Sequence, residues 1–322
     1  MKQFYCNYLD LLCVKVDWND GVDVAFENYF NGLNFASHNK NPDWYLKAGK
    51  ILSPSFIPPK NATIIKGFCS GDYLTWKRNK FIYAYQLNDK YSQNHLIVRK
   101  ENIIKVFTEN TNNYEVYPRI VRELVFRKLL EYGFVPFHAS SFVKNDKAIV
   151  CFGPRNGGKS TAMLLSCVLG KYSPLANDIT FLKNIGNKTV VIFLPHVVSY
   201  SKSALDLITG KATTKPDPEK IKAFPFEFEK LCNKKWIWKS ILDKLVSVNC
   251  NYLTDKFVFR KLSDFEKQLE KNYIFDVHSF GDYLGINYLT PDIGKVFDEL
   301  PIYKFQGNFL KFIKTKNISR KF

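Results

Sequence analysis

Hydrophobic and polar positions divide the chain into a first stretch of short alternating runs and a second in which strands and helices take turns. Before residue 117, the patches ATIIKGFC, DYLTWK, KFIYAYQL, HLIVRK and IIKVFTE are rich in aromatic and β-branched residues and are separated by Asn, Asp, Gly and Ser. That is the pattern of short strands joined by tight turns. It predicts a β-rich amino-terminal domain of hairpins, preceded by a less regular segment over 1–60. From Pro118, apolar Ile120, Val121, Leu124, Val125 and Leu129 recur at helical spacing, with proline at the start and Gly133 at the end. The spacing predicts an amphipathic helix and a seam between two domains, 1–117 and 118–322.

After that helix, FVPFHASSFV, the turn KNDK and AIVCF predict a strand hairpin. A glycine-rich turn and a helix over 159–169 follow, then DITFL and TVVIFL as two further strands. The stretch 210–225, GKATTKPDPEKIKAFP, is polar and broken by proline, and is the best candidate for a mobile loop. Farther on, KKWIWKSILDKLV and LSDFEKQLEKN read as helical pieces and KFVFRKL as a strand. No repeat of solenoid length and no low-complexity block interrupts the chain.

Composition sharpens this picture in three places. With 322 residues, 46% hydrophobic and 16% aromatic, the chain can bury a sizeable core, which argues against wholesale disorder. No segment reaches the ~18 uninterrupted apolar residues of a membrane helix. The amino terminus carries Asp10 and Lys15 inside its apolar part and lacks a small-residue cleavage site, against a signal peptide. The seven cysteines, at 6, 13, 69, 151, 167, 232 and 250, form no C-x-x-C pair. Their odd number suggests neither a zinc site nor a disulfide framework, and the expectation is small buried thiols in a reducing cytoplasm. Net charge is +17, but only eight of the 47 basic residues are arginine. Lysine mixed with abundant Asn, Ile, Tyr and Phe also follows from AT-rich coding. A basic surface attracts nucleotides, acidic peptides and nucleic acids alike. No recognisable nucleic-acid module accompanies the charge, which argues against nucleic acid as the partner.

The chemistry concentrates in Gly153-Pro154-Arg155-Asn156-Gly157-Gly158-Lys159-Ser160, followed by Thr161. The order matches G-x-x-x-x-G-K-[ST], with a strand before it and an apolar-periodic helix after it. Gly153, Gly157 and Gly158 let backbone N–H groups turn inward around phosphate oxygens. Lys159 supplies a point charge for β- and γ-phosphates, the Ser160 hydroxyl suits Mg²⁺, and the helix points its positive end at the anion. Residues 153 and 155–161 are thus the expected nucleotide-binding set, with Arg155 placed to touch phosphate or acceptor. No N-K-x-D guanine motif and no S-G-G signature peptide is present, and TVVIFL ends in Pro195-His196 rather than an acid. The nearest downstream acid is Asp178, in LANDITFL.

FHASSF ahead of the loop, the loop itself and LANDITFL after it resemble the carboxy-terminal domain of HPr kinase/phosphorylase. That domain is related to phosphoenolpyruvate carboxykinase and to smaller kinases that modify ribosomally made peptides. The resemblance covers residues 118 to 210 and extends toward 265. It implies an α/β class with α+β character: a P-loop kinase domain with a mixed sheet, preceded by the β-rich domain. It also implies ATP and Mg²⁺ as cofactors, Lys159 on the phosphates, and Ser160 and Asp178 on the metal. The family's pair of acids falls on Asn177 and Asp178, so the first acid, its base, is missing here. Asp178 or His138 is left for that role; an imidazole titrates near working pH, which suits proton removal from a hydroxyl. The expected catalytic residues are Asp178, His138 and Lys159. The expected reaction is γ-phosphoryl transfer to Ser or Thr of a peptide or protein, with the amino-terminal domain as acceptor platform. A small metabolite as acceptor, or a non-catalytic nucleotide-binding regulator, are the alternatives. His196, the lysines of SKSALD and Arg260 are weaker site candidates, and Trp236 and Trp238 read as core or interface. A homo-oligomer stays open.

Overall fold

The computed structural model describes residues 2–18, 22–30, 41–53, 55–67, 71–86, 94–109, 115–194, 196–210, 219–251, 254, 256–273, 281–286, 291 and 293–315. The chain is of mixed α/β composition and divides into two compact units. One comprises 1–132 with 276–290; the other comprises 133–275 with 291–322. The division falls after the helix that was expected to open the second domain, so that helix belongs to the first unit. Among the described residues, no helix is long and apolar enough to cross a membrane.

The first unit is built on an eight-stranded sheet. The strands are β1 (Lys2–Tyr8), β2 (Leu12–Trp18), β3 (Trp44–Ala48), β4 (Thr63–Gly67), β5 (Gly71–Arg78), β6 (Phe81–Gln86), β7 (His95–Lys100) and β8 (Ile103–Thr108). Their spatial order is β1-β2-β3-β8-β7-β6-β5-β4, with β3 parallel to both neighbours and every other pair antiparallel. The five patches of alternating sequence are β4 to β8. The segment expected to be less regular contains the β1–β2 hairpin, α1 (Val22–Phe30) and β3, which corrects that expectation. Val14, Val16 and Leu46 face the core there, so the alternation is present although aromatic and charged neighbours obscure it.

The helix α2 (Val116–Glu131) departs from the expected amphipathic pattern. Apolar and charged faces are buried alike, including Arg119, Arg122, Glu123 and Arg127. Buried charges need partners. Arg127 meets Glu123 one turn earlier and Asp282 at 3.1 Å. Residues 281–286 form a strap on this unit: Arg99 donates to the Leu284 and Gly285 carbonyls, and Tyr283 stacks on Tyr73 with ring centroids 4.1 Å apart. Burial raises the pKa of Glu123 above its ordinary value of 4.5, outweighing the opposing pull of Arg127.

The second unit carries the glycine-rich stretch 153–161. Its strands are β9 (Val135–Lys144), β10 (Lys147–Phe152), β11 (Ser173–Ala176), β12 (Ile179–Ile185), β13 (Lys188–Phe193), β14 (Val198–Ser201), β15 (Lys220–Ala223), β16 (Lys239–Cys250), β17 (Phe257–Lys261) and β18 (Ile302–Gly307). The main sheet runs β10-β9-β12-β13-β16-β18-β17, and β10 also pairs with β16 in parallel. Those pairings close β10, β9, β12, β13 and β16 into a circuit, leaving none of the five at an edge. The helix α3 (Lys159–Val168) packs on β9 and β10, with Ala162, Met163, Leu164, Leu165 and Cys167 buried. The helix α4 (Lys202–Thr209) and the helix α5 (Pro225–Cys232) pack against α3.

Two expectations are corrected in this unit. KKWIWKSILDKLV is no helix: Lys239 onward is β16, the longest strand, which pairs with β13, β10 and β18 in turn. Of the expected mobile loop, 211–218 lies outside the described residues, while 220–223 is β15 and Pro225 opens α5. Trp236 is a core residue, its indole N–H donating to the Leu175 carbonyl and its ring against Phe193. The cysteines at 6, 13, 151, 167 and 232 are buried free thiols.

Because the folded Glu123 holds its proton more tightly than the unfolded one, its contribution is fully present below the unfolded value and is lost as pH rises. Glu123→Gln removes that dependence. The melting temperature of the variant relative to wild type rises as pH climbs above the unfolded value of 4.5. A difference that is flat or falls over that window contradicts the burial argument.

Candidate functional site

β10 ends at Phe152 and α3 begins at Lys159, with the glycine-rich loop between them. Gly153 has φ 138° and Gly158 φ 90°, and Asn156 is also left-handed at φ 63°. The last residues of β16 run directly against the loop. A Cβ on Gly153 would stand 2.7 Å from the Val248 carbonyl oxygen, and one on Gly158 would stand 2.6 Å from Cys250 Cβ. The Cys250 N–H donates to the Gly157 carbonyl at 2.9 Å, stitching strand to loop. Arg155 and Asn156 are exposed at the crest. No side chain caps the first amides of α3, which in any helix lack partners within the helix.

Lys159 is 8% exposed and its Nζ donates to the Gly153 and Pro154 carbonyls at 3.0 and 2.9 Å. Burial pushes its ammonium below the ordinary lysine value; Asp178 pulls it back up, and Lys220 on β15 depresses it further. Sequence reasoning passed over Lys220, which carries no motif and reaches the loop only through the β14–β15 pairing.

Strand register delivers the other two expected residues. β9 pairs with β10 so that Phe152 faces Ala139, and with β12 so that Ile179 faces His138. His138 is thereby brought beside Asp178, Nε2 to Oδ1 at 3.2 Å. The residue before it behaves differently. Asn177 is 2% exposed, and its Oδ1 accepts from the Ser140 hydroxyl at 3.0 Å. The position where the family's first acid was expected therefore points into the core. His196 also reaches Asp178, Nε2 to Oδ2 at 3.6 Å. As a weaker candidate, with the solvated-surface reading favoured from sequence, it carries no motif that would have marked it. Arg260 is engaged by Glu266 through both terminal nitrogens on an exposed face, which leaves it tied where it stands.

The residues fit a magnesium nucleotide in kind. The glycines let the loop lie directly on β16, where no side chain would fit, and the hydroxyl of Ser160 and carboxylate of Asp178 are hard oxygen donors. Magnesium commonly takes only one or two carboxylates and completes its shell from phosphates and water. Among the described residues, no group of three or more His, Cys, Asp and Glu is arranged to hold a metal by itself.

No family model matches the chain, and no curated protein matches it. Among solved structures it is similar to the Hpr(Ser) kinase/phosphatase from Coxiella burnetii, with a TM-score of 0.29 and 15% identity over 57% of this chain and 94% of that one. A likeness of that size leaves the functional reading to the residues themselves.

Asn177→Asp puts the family's acid back into a core position. The variant loses about 2 kcal/mol of stability or more in urea denaturation, because the charge is buried against a single hydroxyl. An unchanged midpoint would mean that the position is open to solvent.

Proposed function

We propose that this chain is an ATP- and Mg²⁺-dependent kinase that passes the γ-phosphoryl group to a hydroxyl, with Ser or Thr of a peptide or protein as acceptor. The observation that carries the reading is the convergence of three elements. The glycine loop that follows β10, Lys159 at the start of α3, and Asp178, just ahead of β12 and beside His138 on β9, come together from separate parts of the chain.

Phosphoryl transfer asks a protein mainly for positioning and charge neutralisation. The loop amides and the open N-terminus of α3 bind the phosphate oxygens. Lys159 exchanges the Gly153 and Pro154 carbonyls for phosphate oxygens, so its ammonium is already paired and pre-aimed before the nucleotide arrives. Ser160 and Asp178 hold the metal, which when bound neutralises the charge of the phosphates. His138, 43% exposed between buried neighbours on β9, accepts the proton of the attacking hydroxyl. Asp178 beside it stabilises the imidazolium that results. With Asn177 in the core, metal and proton do not compete for a pair of carboxylates, and the histidine takes the base's part.

The test uses γ-labelled ATP, Mg²⁺ and a library of Ser/Thr peptides and hydroxylated metabolites. Wild type labels an acceptor; Lys159→Ala and Asp178→Ala each lose about a hundredfold or more in transfer rate while remaining folded. Label on metabolites alone would reassign the acceptor. ATP binding with neither transfer nor hydrolysis would sink the kinase reading in favour of a regulatory protein.

A further inference from the structure

The two faces of the first unit's sheet differ. One is core: Val14, Val16, Leu46, Ile97, Ile104 and Val106 are buried on it. Phe26 of α1 meets Phe4 there with ring centroids 4.6 Å apart, and Arg99 ties the strap to the same side. Side chains alternate between the faces of a sheet, so the register also fixes what the other face carries. Tyr5 faces Lys15, Lys15 faces Tyr45, Tyr45 faces Ile103 and Ile103 faces Lys100. Lys100 stands over the Phe81 ring at 5.5 Å, and Phe81 faces Arg78. One row thus crosses from β1 to β5, about 29 Å at about 4.8 Å per strand, with a ring or a cation on every strand but β8.

The row beside it adds Lys47 and Lys105, which face each other across β3 and β8, and Tyr83 stacked on Trp76 at 5.1 Å. The rings are half-buried, whereas Arg78, Lys100 and Lys105 are exposed. Lys15 lies over Tyr5 at 5.8 Å and Lys47 over Tyr45 at 5.9 Å. Among the described residues of these two rows the single acid is Asp17, and it is buried. A third row, Tyr85, Leu96 and Phe107, is apolar. There the chain supplies its own cover in Leu52 and Phe56, the latter reaching Trp76 as well. The purely apolar part of this face is covered, and the part that mixes rings with cations is left at the surface.

We propose that this face binds a single-stranded polynucleotide. Phosphates answer the lysines and the arginine, and unpaired bases stack on the rings, because every base has a π-face whatever its sequence. Each ring–cation pair serves both halves of that contact: the ammonium moves onto a phosphate and bares the ring it covered. An acidic peptide would satisfy the cations and leave the rings idle, and a duplex keeps its bases stacked on one another. The combination of residue types therefore favours an open strand. Its residues come from separate strands and form no contiguous motif, which is why the linear sequence speaks against nucleic acid. The inference concerns the first unit and is independent of the kinase reading.

Fluorescence anisotropy of the full-length chain tests it with a labelled single strand of about 20 nucleotides, the same sequence as a duplex, and poly-glutamate. Four phosphate contacts, from Lys15, Lys47, Lys100 and Arg78, predict that affinity for the single strand falls about fiftyfold between about 50 and about 200 mM salt. Tyr45→Leu keeps an apolar side chain without a π-face and weakens single-strand binding about fivefold or more, whereas Tyr45→Phe retains it. Lys100→Glu combined with Lys105→Glu reverses charge at two exposed positions, away from the core, and weakens binding about tenfold or more. No binding at the lower salt overturns the proposal. Binding unchanged in the double variant does so too, since the strand would then lie elsewhere. Equal affinity for strand, duplex and poly-glutamate, with Tyr45→Leu indistinguishable from wild type, would reassign the face to acidic peptides.

Discussion

Val248 and Cys250, at the end of β16, press against the glycine-rich loop from below. The approach is so close that side chains at Gly153 and Gly158 would meet backbone or Cβ atoms within 3 Å. The contact exists because β10 pairs in parallel with β16 while it also forms the hairpin with β9. One strand is therefore locked on both sides, and the loop that leaves it has little freedom in where it goes. α3 then starts at a fixed point, with Lys159 buried beneath the loop rather than loose above it. Removing the β10–β16 pairing would leave a glycine-rich segment able to sample many conformations, and the entropy of ordering it would fall on any ligand bound there.

The same circuit decides what stands across from the loop. Because β12 pairs with β9, His138 and Asp178 are register neighbours, and the left-handed turn at Asp178 sends Asn177 inward and the carboxylate outward. Burial then separates two adjacent polar residues by role. Asn177 satisfies Ser140 inside, where an amide is far cheaper than a charge. Asp178 stands between two imidazoles at the surface. In the kinase reading, one carboxylate and two histidines occupy the place of the two carboxylates seen in the family that the sequence resembles. Metal binding and proton acceptance are then divided between different side-chain types.

Much of the loop and its flanks was legible because the signal is local. Glycine spacing, a preceding apolar run and a following helical period all fall within twenty residues, and β4 to β8 announce themselves by alternation. The failures are non-local. Trp236 to Val246 places apolar residues at helical spacing, yet β16 is buried over Leu245–Val248 by strands on either side. Tertiary pairing overrode the local period there. The apolar period of α2 gives no sign that its arginines are buried; the Asp282 and strap carbonyls that accept from Arg127 lie more than 150 residues downstream. His196 and Lys220 carry no motif, and they lie in the connection ahead of β14 and on β15 of the two-stranded β14–β15 pairing.

The most direct test of the account is a crystal structure with Mg²⁺ and a non-hydrolysable ATP analogue. The account predicts Lys159 Nζ released from the Gly153 and Pro154 carbonyls and bonded to β- and γ-phosphate oxygens. It also predicts that Ser160 and Asp178 would hold the metal, with the His138 ring beside Asp178 on the side of the γ-phosphate. A nucleotide bound elsewhere, or Lys159 still held by its two carbonyls with phosphate in the loop, would contradict it.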